Sequence, residues 1–227
     1  MQRTNIEWAK NQDGTKGHVW NPVRGCLRGC SYCYARKFAR RFFNDKDFKP
    51  KWIQDNFEKS MPNKPSVIFV NSMSDPEWWD PEWMHKVFNK IRDNFKHTFI
   101  FLTKNPEIYK KHIFPLNSRL GITVTNREDI LKVEKFIERN ELNSHFQFFL
   151  SMEPILEKLE QPGQEFLDFF SWLIVGAETG NRKGRVTPER KWIYNLMDWG
   201  IPIFMKNNLA SIWSKKLIQE IPNNGSI

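Results

Sequence analysis

The stretch WLIVGAE (Trp172–Glu178) runs apolar for almost its whole length and then stops on a carboxylate. A strand with one wet face alternates apolar and polar side chains. A strand covered by helices on both sides does not, and reads as a near-continuous apolar run. The same pattern recurs in SVIFVNS (Ser66–Ser72), TFIFLTK (Thr98–Lys104), LGITVT (Leu120–Thr125), FQFFLSME (Phe146–Glu153) and PIFMKN (Pro202–Asn207), after a first run HVWNPV (His18–Val23). Helix-period segments lie between these runs: Tyr34–Phe43, Pro81–Asn94, Glu107–Phe114, Arg127–Asn140 and Pro188–Trp199. DPEW (Asp80–Trp83) and TPER (Thr187–Arg190) read as helix starts, each with an N-cap residue and Pro at the first helical position. Repeated β-α units cross over right-handed, so the predicted fold class is α/β, as a doubly wound sheet or a barrel, complete or partial.

In either architecture ligands bind at the carboxyl ends of the strands. Those ends are polar here: Asn71 to Asp75, Thr103-Lys104-Asn105, Thr123 to Asn126, Ser151-Met152-Glu153 and Glu178 to Asn181. Capping of the following helices accounts for the Ser, Thr and Asp positions. It accounts poorly for Glu153 and for Lys206.

The chain has 227 residues, 40% hydrophobic and 27% charged, which suits one globular domain spanning 1–227 with a core over about 18–207 and a C-terminal tail, 208–227. Ten Trp and nineteen Phe provide large buried areas. No apolar run approaches the ~20 residues of a membrane span. The N-terminus MQRTNIEWAKNQDG has no apolar core of a signal peptide, so a cytoplasmic protein is expected. The formal charge of +9 favours an anionic partner such as nucleic acid, or simply a basic soluble protein.

All three cysteines fall within GCLRGCSYCYA (residues 25–35), as Cys26, Cys30 and Cys33. An odd number in a reducing compartment argues against a disulfide framework. Three thiolates can ligate three irons of a [4Fe–4S] cluster and leave the fourth open to an external ligand. Gly25 and Gly29 let the backbone curl round such a cluster, and the helix after Cys33 aims its N-terminal dipole at the sulfurs. Zinc held by the three cysteines and His18, buried inert thiols, and a redox pair Cys30–Cys33 are the other readings.

Cys-x3-Cys-x2-Cys with Tyr32 before the third cysteine, after the first strand of a β/α series, resembles the radical S-adenosylmethionine superfamily. TNIEWAKN, HVWNPVRGC, GCSYCYA, VNSMSDPEW, LTKNPE, GITVTN, SMEPIL, WLIVGAETGNR and IPIFMKN also resemble, in this order, the phage Gp37/Gp68-like family (the DUF5131 group). Many members of that group carry a longer insert between the first two cysteines; this chain has the compact spacing of the wider superfamily. The resemblance implies a partial (β/α)6-7 TIM-like barrel of radical SAM type. It implies an enzyme in which an open iron chelates S-adenosylmethionine, one electron splits a carbon–sulfur bond, and a 5′-deoxyadenosyl radical abstracts hydrogen from substrate. An electron donor for the cluster is implied as well.

Carried onto this chain, the resemblance makes Cys26, Cys30 and Cys33 the cluster ligands and sets Tyr32 against the adenine. Ser72 and Asp75 stand where the superfamily contacts the methionine amino group, although Ser-Met-Ser-Asp replaces the usual Gly-Gly-Glu. Thr123, Ser151 and Glu153 stand at ribose and carboxylate positions, and VGAE, with Gly176 and Glu178, at the adenine pocket. Lys104 and Lys206 neutralise the cofactor carboxylate, bind substrate, or are solvated charges.

Two basic elements are candidate substrate contacts. In YARKFARRFF (Tyr34–Phe43), Ala35, Phe38, Ala39 and Phe42 form the apolar stripe expected to face the core, with Arg36, Lys37, Arg40 and Arg41 on the other side. GNRKGR (Gly180–Arg185), with Arg182, is a basic loop after a strand. Both would suit phosphates, and the tryptophans of DPEWWDPEW (Asp75–Trp83) could stack on a base. A non-catalytic nucleic-acid-binding module with a structural zinc or iron–sulfur site is the alternative function.

Overall fold

All seven apolar runs supply a parallel strand in a computed structural model that describes residues 1–139 and 146–222. The architecture is mixed α/β with mostly parallel strands, in two compact units. The first holds residues 1–103 and 112–119; the second holds 104–111 and the residues from Leu120 on.

In the first unit the elements are β1 (Gln2–Arg3), β2 (His18–Val19), β3 (Val23–Arg24), α1 (Tyr34–Phe43), β4 (Lys51–Trp52), α2 (Gln54–Phe57), β5 (Val67–Phe69), α3 (Pro81–Arg92) and β6 (Thr98–Thr103). β2, β5 and β6 are parallel neighbours, with His18 opposite Ile68 and Ile68 opposite Phe99. β1 closes the edge antiparallel to β2, and β3 pairs antiparallel with β4. The run His18–Val23 breaks in two at Asn21-Pro22, because Pro22 has no N–H to give a ladder. α3 begins as its sequence predicts. Asp80 caps it through its carboxylate to the Glu82 N–H (2.8 Å), Pro81 stands first, and Met84, Val87, Phe88 and Ile91 are buried.

In the second unit follow α4 (Ile108–Lys111), β7 (Ser118–Thr123, in this unit from Leu120), α5 (Arg127–Glu138), β8 (Phe148–Met152), α6 (Gln164–Phe169), β9 (Phe170–Val175), α7 (Arg190–Met197), β10 (Ile203–Met205) and α8 (Ala210–Trp213). β7, β8, β9 and β10 run parallel in that order. All five residues of β8 are buried, as the unbroken apolar run requires. Gly121 in β7 has a packing reason: a methyl there would stand 2.1 Å from the ring of buried Phe149. The segment after β10 packs back, with the Glu220 carbonyl accepting from Trp172 Nε1 (2.8 Å) and Gln219 bridging to Phe204.

Four expectations about helices need correction. TPER does not start one: α7 begins at Arg190 with Glu189 at its cap, and Pro188 precedes it. The segment Glu107–Phe114 is helical only over Ile108–Lys111, and Pro115 follows the frayed end. α5 ends at Glu138, and Asn140 lies outside the described residues. The largest correction concerns α1. Only Ala35 and Ala39 of its supposed stripe are buried, against Phe48, with Cys26, Cys33 and Met73 around them. Two small side chains bring the helix backbone close to Phe48, which leaves Phe38 and Phe42 on its exposed flank.

Candidate functional site

The cysteine loop joins β3 to α1 in the first unit, and its entry is fixed by glycine. Gly25 sits at φ +111°, donates its N–H to the Met73 carbonyl (2.9 Å), and lies so close to the segment after α1 that a Cβ would stand 2.1 Å from the Lys49 carbonyl oxygen. The Cys26 N–H then donates to the Phe48 carbonyl (2.8 Å). Gly29 turns at φ +78°, with no atom nearer than 3.9 Å to a would-be Cβ. Cys33 is the N-cap of α1, and its Sγ accepts the Arg36 N–H at 3.4 Å. A helix N-terminus offers just such N–H groups to a sulfur carrying negative charge.

Two arginines brace the loop. Arg28, between the first two cysteines, pairs with Glu77, which follows β5. Arg36 reaches back to the Cys26 carbonyl (3.4 Å). Neither contact was foreseen from the sequence, although the place of Arg28 inside the motif was a visible signal. The cysteines are free thiols. Burial pushes the Cys26 thiol up to about 11, and the negative charges of Asp75, Cys33 and Cys30 act in the same direction. Burial also raises Cys33, with Cys30 adding to it. Without a bound cation these two are neutral thiols; a soft metal deprotonates them on binding.

Among the described residues no three His, Cys, Asp or Glu groups converge closely enough to hold a metal ion. The zinc arrangement of three cysteines with His18 is therefore not seen there. A cluster distributes its thiolates over different irons, so its ligands do not meet at one point. The donor set fits such a cluster in its chemistry: three thiols in one glycine-turned loop, two of them packed on one apolar patch, and one on a helix N-terminus.

The polar ends of β5 and β6 are largely engaged with each other. Asp75, buried, accepts from the Thr103 hydroxyl (2.7 Å) and caps the 3-10 turn Pro76–Trp78 through the Glu77 N–H (3.0 Å). Asn71 bonds both the N–H (3.0 Å) and the carbonyl (2.6 Å) of Leu102. The Ser72 hydroxyl is held by Asn21 (3.0 Å), and its carbonyl accepts from the Tyr34 hydroxyl. Tyr32 is half-buried within the loop.

In the second unit, Thr123 ends β7, Ser151 lies near the end of β8 and Gly176 follows β9. Lys206 Nζ stands 2.5 Å from Glu153 Oε1, which explains the two residues that helix capping did not. A methyl on Gly176 would come within 3.0 Å of that carboxylate and 3.1 Å of the lysine stem, so glycine makes room for the pair. Lys104 contacts Thr125 (3.3 Å) and Asp129 (3.5 Å) and is not a solvated charge. Glu178 is buried and grips Arg182 through two bonds, Oε1 to Nε at 2.7 Å and Oε2 to Nη2 at 2.8 Å. These two expected ligand contacts thus hold one another, and pin the GNRKGR loop. Ser151 differs: it is fully buried, and its hydroxyl has no hydrogen-bond partner among the described residues.

No helix among the described residues is long and apolar enough to cross a membrane. Comparison with solved structures finds two distant likenesses. One is a double mutant of spore photoproduct lyase with bound AdoMet and dinucleoside spore photoproduct, at 13% identity and TM-score 0.43, covering 70% of this chain and 55% of that one. The other is spore photoproduct lyase complexed with dinucleoside spore photoproduct, at 11% identity and TM-score 0.44, covering 77% and 60%. The chain thus spans little more than half the length of either. No curated protein sequence matches it. A family model does match, over residues 3–207, and by that match the chain belongs to the family described as "Protein of unknown function (DUF5131)".

Proposed function

We propose that this chain is a cytoplasmic radical S-adenosylmethionine enzyme whose Cys26, Cys30 and Cys33 hold a [4Fe–4S] cluster, and that its substrate is an anionic polymer or nucleotide of the nucleic-acid class. The observation that carries the reading is the cysteine loop itself: the Gly25 turn, Cys26 packed half-buried against Ala35, Ala39 and Phe48, and Cys33 capping α1 with its sulfur on the Arg36 N–H. When bound, the cluster would supply one electron and an open iron for cleavage of S-adenosylmethionine into a 5′-deoxyadenosyl radical.

The chain's own residues do the rest. Packing of Cys26 and Cys33 against Ala35, Ala39 and Phe48 partly shields them from water. Arg28, tied to Glu77, holds the loop and offsets thiolate charge. Tyr32, Ser72 and Asp75 are assigned cofactor contacts in the first unit. Asp75 and Ser72 act there partly through the backbone they fix, since their side chains are engaged with Thr103 and Asn21. In the second unit Thr123, Ser151, Glu153, Gly176 and Glu178 keep their assignment from their strand-end places. Ser151 has the clearest support, a buried hydroxyl that wants a partner. Lys104, Lys206, Arg182, Arg36 and Arg40 keep their assignment as substrate or carboxylate contacts.

The test is anaerobic purification, reconstitution with iron and sulfide, reduction, and assay for 5′-deoxyadenosine after adding S-adenosylmethionine. A brown protein that forms 5′-deoxyadenosine, with formation abolished in Cys30→Ala, is the expected result. A protein that binds zinc in place of iron, or a cluster that forms yet never yields product with any nucleic-acid substrate supplied, refutes it.

A further inference from the structure

We infer that the exposed flank of α1 is a platform for single-stranded nucleic acid. The helix turns its two alanines inward, and its aromatic rings outward: Tyr34 is 55% exposed, Phe38 44%, Phe42 58% and Phe43 49%. Buried rings hold a fold together; four exposed rings on one ten-residue helix do not serve its core.

Their arrangement is regular. Tyr34, Phe38 and Phe42 recur every four residues and form one row along the helix, each step about 6 Å along the axis. Lys37 and Arg41 form the adjacent row, with Arg40 and Arg36 beyond it. Phe38 and Phe42 lie with centroids 4.5 Å apart, and the Arg41 guanidinium stands 5.2 Å over the Phe42 ring. Phe43 carries the Arg24 guanidinium at 4.1 Å. α1 contains four basic residues and no acid. The half-buried carboxylate nearest its end, Asp45, is taken by Lys51 (2.5 Å) and Arg24 (3.7 Å).

A row of rings beside a row of cations matches one polymer above others. Single-stranded nucleic acid presents base faces for stacking and phosphates for the cations, and needs both from its binder. A duplex hides its base faces in its own stack. A second copy of this chain brings the same positive charge to the same face. A membrane-surface helix puts its apolar arc below its cations and toward lipid; here the side opposite the cations is already spent on Phe48, and rings and cations share the exposed flank. The row also begins next to Cys33, the N-cap of α1, so a bound strand is led toward the cysteine loop. This inference rests on the substrate class proposed above, and not on the cluster.

The experiment is fluorescence anisotropy with a labelled oligothymidylate of about 12 nucleotides, within the span of known single-strand sites. It uses the full chain, both reconstituted and as Cys30→Ala, so that failure of the cluster reading leaves this one readable. Expected is binding by both proteins, with Phe38→Ala and Phe42→Ala each weakening it at least about 5-fold. Phe42→Leu, which keeps apolar bulk but loses the ring, should weaken it too. Lys37→Glu and Arg41→Glu should each flatten the dependence of log affinity on log salt by about 0.7 or more. These side chains are exposed, and unchanged circular dichroism would show that the variants fold. Several outcomes overturn the inference: no binding, wild-type affinity in the Phe variants, or a duplex of equal length bound as tightly. Phe-dependent binding to phosphatidylserine vesicles without oligonucleotide binding would overturn it in favour of a membrane contact.

Discussion

Replacing Gly25 by Ala tests whether the cysteine loop is built by its backbone. Gly25 and Gly29 both have positive φ, at +111° and +78°, so either alanine is strained. Strain of this kind costs about 1–3 kcal/mol. The two sites then part company. At Gly29 the new methyl meets nothing nearer than 3.9 Å, and the strain is the whole cost. At Gly25 it stands 2.1 Å from Lys49 O, 2.4 Å from Lys49 C and 2.7 Å from Pro50 N. Those are backbone atoms and cannot rotate away. The loop or the segment after α1 must shift, at a further cost of about 1–3 kcal/mol for overpacking. The shift also strains the Gly25–Met73 and Cys26–Phe48 hydrogen bonds. Gly25→Ala should therefore lose about 2–6 kcal/mol, a large share of the ~5–15 kcal/mol of a typical domain. Gly29→Ala should lose no more than the first part. Urea unfolding followed by circular dichroism measures both, and iron content after reconstitution measures the loop. Equal midpoints for the two variants would refute the reasoning, because only the contact with Lys49 separates them.

Two further outcomes follow from buried polar groups. His97 is buried, accepts the Ser66 N–H on Nδ1 (3.1 Å), and burial, then Lys96 and His18, depress its basicity. A folded pKa below the unfolded value of about 6.5 means that the unfolded chain binds the proton better. Stability is then complete above that value and is lost as pH falls below it. Tm should fall from pH 7 to pH 5, and fall less steeply in His97→Asn; parallel curves would contradict this, with His18 adding a loss of the same sign. Ser151→Ala removes a buried hydroxyl that has no partner among the described residues, so thermal stability should stay within about 1 kcal/mol of the parent. Affinity of the reconstituted protein for S-adenosylmethionine, measured by equilibrium dialysis, should drop; unchanged affinity removes Ser151 from the site.

The strands were legible because burial on both faces leaves an unbroken apolar run, and the sequence of Trp172–Val175 could serve few other purposes. The bounds of α1 were legible too, since Cys33 caps it and Asn44 ends it in a left-handed turn. The orientation of α1 was not. Periodicity marks a stripe, but Ala35 and Ala39 share that stripe with Phe38 and Phe42, and only packing decides which pair faces Phe48. The sequence likewise marked polar strand ends without showing their partners. Glu178 and Arg182 are four apart, yet they meet across a loop rather than along a helix. Asp75 and Thr103, or Arg28 and Glu77, come together only through the parallel order of β5 and β6 and the return of the chain to the cysteine loop.

These pairings bear on how the protein could hold a polyanion. A carboxylate at a strand end would repel phosphates if its charge were open to them. Glu178 is instead closed by Arg182, Glu153 by Lys206, Asp129 by Lys104, and Asp45 by Lys51 and Arg24. Each group lies within one unit; the three pairs are neutral at a distance, and Asp45 with its two cations is left one charge positive. On exposed helix faces Glu82 meets Lys86 and Glu128 meets Lys132 in the same way. The net charge of +9 therefore belongs to basic groups that such pairing leaves over, and α1 concentrates four of them without an opposing acid. Charge alone would make that helix adhesive to any polyanion. Under the proposal above, the aromatic row beside it would make the choice of a single strand specific, because stacking fails with a duplex while attraction to phosphate does not.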